Sequence, residues 1–81
     1  MDTVEVVVRR REGVAFSGRV FAVSSTNEIG NFDVLPNHAN FISTIRDLLT
    51  IHHTKTRQQD FKVESGVLRA KGNLIEVYIG I

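Results

Sequence analysis

Val4, Val6 and Val8 alternate with Thr3, Glu5 and Arg9, and Val7 alone intrudes on the polar side. A period of two marks a strand with one buried face, so residues 3–9 are predicted to open the chain as a half-buried β-strand. Three arginines, Glu12 and Gly13 follow as a polar turn. Residues 14–16 form a short extended piece, and Gly18 allows a bend or bulge before residues 19–24. There Val20, Ala22 and Ser24 oppose Phe21 and Val23, so neither face is purely polar. Such a strand fits the inside of a sandwich, or a second apolar face kept for a partner.

Residues 25–30 carry turn chemistry throughout except Ile29, an apolar residue at a loop tip. Residues 32–35 read as a strand that stops before Pro36, because proline pushes the residue ahead of it towards extended geometry. Pro36 pre-sets the first central position of a tight turn and Asn37 tolerates a positive φ at the second, after which the chain re-enters the apolar interior at Phe41 and Ile42. Residues 39–49 come nearest to a helix. Their β-branched content (Ile42, Thr44, Ile45) and lack of strong helix formers favour strand or irregular structure.

Arg46-Asp47 makes a polar break, residues 48–54 read as another strand and residues 55–60 as a polar hairpin region. Phe61 and Val63 alternate with Lys62 and Glu64 up to a Ser65-Gly66 turn; residues 67–70, a turn at 71–73 and residues 74–81 complete a final hairpin. The sum is about eight to ten short strands with no helical period. The predicted fold is all-β: one domain over residues 1–81, an antiparallel β-sandwich or flattened barrel.

Composition narrows the function classes. A chain of 81 residues buries only about 60–65% of its unfolded surface, and without cysteine no disulfide reinforces the thin core. The five phenylalanines are therefore expected to fill that core. Ten basic against nine acidic side chains give a net charge of +1, far from the concentrated positive field of a nucleic-acid binder. No stretch approaches the roughly 20 apolar residues of a spanning helix, and the start lacks the basic flank of a signal peptide, so a soluble intracellular domain is expected.

Candidate chemistry is sparse. His38 follows a turn and no serine, cysteine or carboxylate stands at a spacing that would make it a catalytic partner, so a loop or interface histidine is the better reading. His52 and His53 are adjacent, leave a strand on opposite faces and cannot chelate one metal; a strand-end pair, one inward and one wet, is expected. The arginine run beside Glu12 reads as a solvated turn, and no phosphate-loop or dinucleotide spacing appears. The residues thus assign no catalytic, cofactor-binding or metal-binding role, and point to a domain that works by shape.

Residues 30–40 resemble a motif of the epsilon subunit of F-type ATP synthases, Gly-Glu-x-Gly-x-x-Pro-x-His-Ala-Pro followed by an apolar run and Ser/Thr. Gly30, Pro36, His38 and Ala39 stand in register, while Asn31, Asp33 and Asn40 replace glutamate, glycine and proline. Residues 63–68 are similar to the family's Val-Ser-Gly-Gly-x-Leu, and Gly13, Phe16 and Gly18 to its opening.

The resemblance implies the amino-terminal β-sandwich of that subunit, a non-catalytic rotor part of the central stalk that couples the gamma subunit to the c-ring for ion-driven ATP synthesis. It implies a c-ring side at Glu28, Ile29 and Asn31 and a gamma side at His38, Phe41 and Ser43. It further implies no cofactor, absence of the family's carboxy-terminal helical domain, and a peripheral membrane complex on the cytoplasmic side of the bacterial inner membrane, or its organellar equivalent. Two other classes compete: an independent adaptor lending a sheet face or strand edge to an unrelated partner, and a small barrel binding single-stranded nucleic acid, which would need stacking platforms and a basic groove.

Overall fold

The computed structural model describes residues 2–80 and contains seven strands. They are β1 (Val4–Arg10), β2 (Gly13–Val20), β3 (Ala22–Thr26), β4 (Asn31–Val34), β5 (Phe41–His52), β6 (Gln58–Lys71) and β7 (Leu74–Ile79). They form a single sheet in the order β2-β1-β7-β6-β5-β3-β4. All neighbours are antiparallel except β1 and β7, which run parallel.

The sheet doubles over because its two longest strands belong to both layers. The first part of β5 (41–45) pairs with β6 over 66–70, and that part of β6 also pairs with β7; the second part of β5 pairs with 58–63 of β6 and with β3. One layer thus holds β2, β1, β7 and half of β6 and β5, and the other holds the remaining halves with β3 and β4. The extents of 33 × 27 × 23 Å fit two packed layers about 10 Å apart rather than one flat sheet. The sheet does not close: β2 and β4 are its edges.

Seven strands replace the expected eight to ten because two predicted breaks lie inside strands. The polar pair Arg46-Asp47 sits at a register shift between Ile45 and Asp47, where Asp47 adopts φ 72°. This is a β-bulge, which bends a strand without ending it, and aspartate is among the few side chains that accept such a φ. Ser65-Gly66 is likewise no turn. Gly66 pairs with both Ile45 and Ile79, and a Cβ there would lie 2.6 Å from the Tyr78 carbonyl oxygen and 3.2 Å from Ile45 Cγ1. Glycine is required at Gly66 because two backbones approach too closely for a side chain. Gly18 also lies within a strand; the bulge of that hairpin falls on β2 at Ala15, opposite Val8 and Arg9.

Val4, Val6 and Val8 are fully buried, as their alternation predicts, and join Val23, Leu49, Ile51, Leu68, Ile75 and Val77 in one core. The phenylalanines depart from expectation. Phe16, Phe32, Phe41 and Phe61 are only half-buried and pack against the rim of the core, and Phe21 sits half-buried at the bend between β2 and β3. Branched aliphatic side chains fill the narrow interlayer space, and the longer rings close its open sides. Phe32 meets Phe41 edge-on at 6.1 Å, Phe16 meets His53 at 5.3 Å, and the Arg10 guanidinium lies 5.7 Å from the Phe61 ring centre.

Gly66→Ala is expected to destabilise the chain by about 1–3 kcal/mol through forced repacking. The measurement is the urea midpoint; an unchanged midpoint would mean the two layers do not pinch there.

Candidate interaction surface

The β3–β4 turn is organised by one side chain. Asn27 Oδ1 accepts hydrogen bonds from the backbone N–H groups of Ile29 (2.9 Å) and Gly30 (3.2 Å), and the Asn27 backbone N–H donates to the Gly30 carbonyl at 3.0 Å. The Asn27 amide nitrogen donates to Ser43 Oγ at 3.1 Å, and Ser43 Oγ–H donates to the Thr44 carbonyl at 2.8 Å. Behind the turn, Thr26 donates to Asn31 Oδ1 at 2.8 Å across the β3–β4 ladder. Asparagine suits this place because its carbonyl oxygen mimics a backbone acceptor while its amide still donates.

The turn holds Ile29 out in solvent, with 97% of its surface exposed, and Glu28 and Asn31 are exposed on either side. These three lie together at the turn. His38 lies in the β4–β5 loop after Asn37, whose φ of 66° matches the predicted turn. Its ring is half-buried, with Nδ1–H donating to the Ala39 carbonyl at 3.0 Å. Its Nε2 is enclosed with no hydrogen-bond partner, alone in this among the side-chain atoms of the described residues. Phe41 and Ser43 are half-buried on β5. The two groups of candidate residues are not separate patches, since Asn27 ties the Ile29 turn to Ser43 and Phe32 packs on Phe41.

Sequence reasoning missed Asn27, although an asparagine opening a turn is a recognisable signal. It also missed what the three departures from the family motif do. Asn31 accepts from Thr26, Asp33 accepts from Ser24 at 2.5 Å, and Asn40 Oδ1 accepts from the Gly72 N–H at 2.9 Å, fastening the β4–β5 loop to the β6–β7 turn. In the histidine pair, the His52 contact is partly buried and the His53 contact lies exposed to solvent. His52 and His53 are both half-buried, His52 Nε2 lying 2.8 Å from Ser24 Oγ and His53 Nε2 3.1 Å from Gln59 Oε1.

Elsewhere the concave surfaces are shallow. One of them, about 660 Å³, is lined by Arg10, Asp47, Lys62, Val63, Glu64 and Ile79. On the outer face of the β7 layer, Glu76 draws in Arg9 (3.5 Å), Arg69 (3.7 Å) and the Tyr78 hydroxyl (3.4 Å). Among the described residues no group of three His, Cys, Asp or Glu could hold a metal ion, and no helix is long and apolar enough to cross a membrane.

A family model described as "ATP synthase, Delta/Epsilon chain, beta-sandwich domain" matches residues 3–79. An ATP synthase epsilon chain from a Nitratiruptor species is 39% identical over 46 residues, 57% of this chain and 36% of that protein. Two solved structures share the fold. A chain of the Euglena gracilis mitochondrial ATP synthase (OSCP/F1/c-ring) superposes with a TM-score of 0.89 at 11% identity, covering 98% of this chain and 51% of its own. One from the Tetrahymena thermophila mitochondrial ATP synthase central stalk and c-ring gives 0.80 at 14% identity, with 95% and 63% covered. The match spans at most 63% of the length of any of these three relatives.

Asn27→Ala removes three side-chain hydrogen bonds at the turn and is expected to cost about 1–2 kcal/mol. The amides of Ile29 and Gly30 should exchange about tenfold faster while those of β1 and β7 keep their protection. Unchanged exchange at Ile29 would show that the turn stands without Asn27.

Proposed function

Because the chain belongs to the ATP synthase delta/epsilon-chain β-sandwich family, we propose that it is a non-catalytic part of the rotor, joining the gamma subunit to the c-ring so that rotation of the ring turns the shaft. The observation that carries this reading is the Asn27-braced turn, which presents a bare isoleucine on a stiff mount. A fully exposed Ile29 makes sense as an anchor for a partner's apolar contact. In this reading Glu28, Ile29 and Asn31 face the ring, while His38, Phe41 and Ser43 face gamma. The membrane is reached only through the ring, on the cytoplasmic side in a bacterium or its organellar equivalent.

Mechanical coupling asks for rigidity, and a two-layer sandwich supplies it through continuous strand ladders and a dense core. The partnerless Nε2 of His38 also fits an interface. An enclosed acceptor without a hydrogen bond is costly, and a modest rotation of the ring on docking would let a gamma donor satisfy it.

An independent adaptor remains the second reading, favoured by the free edge of β2 and by Val14, 58% exposed upon it. Co-purification with gamma and c-ring separates the two. Ile29→Asp and Asn31→Lys are expected to weaken ring binding at least tenfold and leave gamma binding intact, and His38→Glu to do the reverse. Unchanged assembly and ion pumping in all three variants would remove these residues from the interfaces. A wild-type chain that captures neither partner would favour the adaptor.

A further inference from the structure

Beyond the rotor reading, and independently of its ring and gamma faces, we propose that the free edge of β2 is a docking site for an extended acidic segment of a partner protein, which joins the sheet as a further strand. The two edges of the sheet, β2 and β4, differ in how they are guarded. β4 is four residues long and Pro36 follows two residues past its end, so little ladder is on offer there. β2 runs for eight residues, Gly-Val-Ala-Phe-Ser-Gly-Arg-Val, with no lysine and no proline. Sheet edges are blunted by such residues, and an edge without them can pair with another chain. Only the bulge at Ala15 interrupts β2, which leaves residues 16–19 as a regular run.

The charges beside this edge select the partner's chemistry. Residues 9–19 hold four arginines against one glutamate, although the whole chain carries a net charge of only +1. Arg9 is engaged by Glu76. Arg10, Arg11 and Arg19 are exposed and take no part in either ion pair of the described residues, since both are made by Glu76. Glu5 stands opposite Arg19 on β1, yet the two form no ion pair. The hairpin thus keeps positive charge that nothing within the chain neutralises.

Those charges are spaced along the strand. Arg19 stands near one end of β2, and Arg10 and Arg11 flank its other end, about 20 Å away at roughly 3.3 Å per residue. Between them Val14 is 58% exposed, beside a shallow depression of about 210 Å³ lined by Arg10, Glu12, Gly13, Val14 and Ala15. A strand laid along β2 would set one carboxylate opposite Arg19, where cross-strand side chains lie about 5 Å apart, and a second near Arg11, with an apolar side chain on Val14 between them. A second copy of this chain would bring another set of unpaired arginines to the same edge. A nucleic acid would satisfy the charge but has no ladder of N–H and C=O groups to pair with the strand.

The test titrates the full chain with short fluorescent peptides of alternating valine and threonine that carry glutamate at both ends, with a lysine-ended version, and with a glutamate-ended version whose valines are replaced by proline. The glutamate peptide is expected to bind at least tenfold more tightly than the lysine peptide at low salt, with the gap closing at high salt. The proline peptide keeps the charge, cannot form a ladder, and should not bind. On binding, alternate amides of residues 14–19 should exchange at least tenfold more slowly while those of Ile29 and Gly30 are unchanged. Arg19→Glu should lose the glutamate peptide and gain the lysine peptide, a reversal that misfolding cannot produce. A proline peptide that binds as well as the glutamate peptide, or a thymidine oligonucleotide that competes equally without protecting these amides, would reduce the edge to a basic patch and overturn the proposal. Self-association of the wild-type chain through β2, or no peptide binding at either salt concentration, overturns it too, and neither outcome bears on ring or gamma binding.

Discussion

The structure depends on the contact at Gly66, where β6 passes so close to Tyr78 and Ile45 that no side chain fits. Together with the bulge at Asp47, this pinch lets β5 and β6 leave one layer and enter the other without losing their mutual pairing. Without a corner there, a sheet of this order would lie flat and Val4, Val6 and Val8 would have no opposing layer. The buried aliphatic core follows from it. The only buried polar residues among those described, Ser25 and Thr50, donate to the Leu48 carbonyl and to Asp60. The interior therefore carries no unsatisfied hydroxyl to soften it.

Local features were legible in the letters because they have local causes. The valine alternation marked the buried face of β1, and Pro36-Asn37 marked a turn whose positive φ the structure shows at Asn37. Ile29 was legible as an exposed tip for the same reason. What escaped depends on pairing between distant residues. A polar pair such as Arg46-Asp47 looks like a loop until a partner strand makes it a bulge, and Ser65-Gly66 looks like a turn until Tyr78 comes close. The phenylalanines were misplaced because ring size argues for burial, whereas the depth available is set by two layers that one-dimensional reading cannot measure.

At the candidate surface, the residues that differ from the family motif were legible as departures but not as contacts. Asn31 and Asp33 each accept a hydrogen bond from the neighbouring strand, from Thr26 and Ser24, and Asn40 accepts one from Gly72, far along the chain. Amide and carboxylate side chains here make contacts that glutamate, glycine and proline at these positions would make differently or not at all. At these three positions the surface thus departs from the family motif within a shared scaffold. Asn27 belongs to the same logic, since its two ends bind the turn ahead of it and β5 across from it.

The parallel pairing of β1 with β7 has a kinetic consequence. β7 is the last of the seven strands to leave the ribosome, yet it lies inside the sheet, between β1 and β6. Until it arrives, the β1–β2 hairpin and the block of β3 to β6 are two unjoined pieces, each with a raw inner edge. Closure requires the first and last strands to find each other, a non-local step of the kind that slows folding. Nascent chains halted before Leu74 would expose those sticky margins to one another, so this small domain carries its greatest risk of misassembly while the strand that joins its two pieces is still awaited.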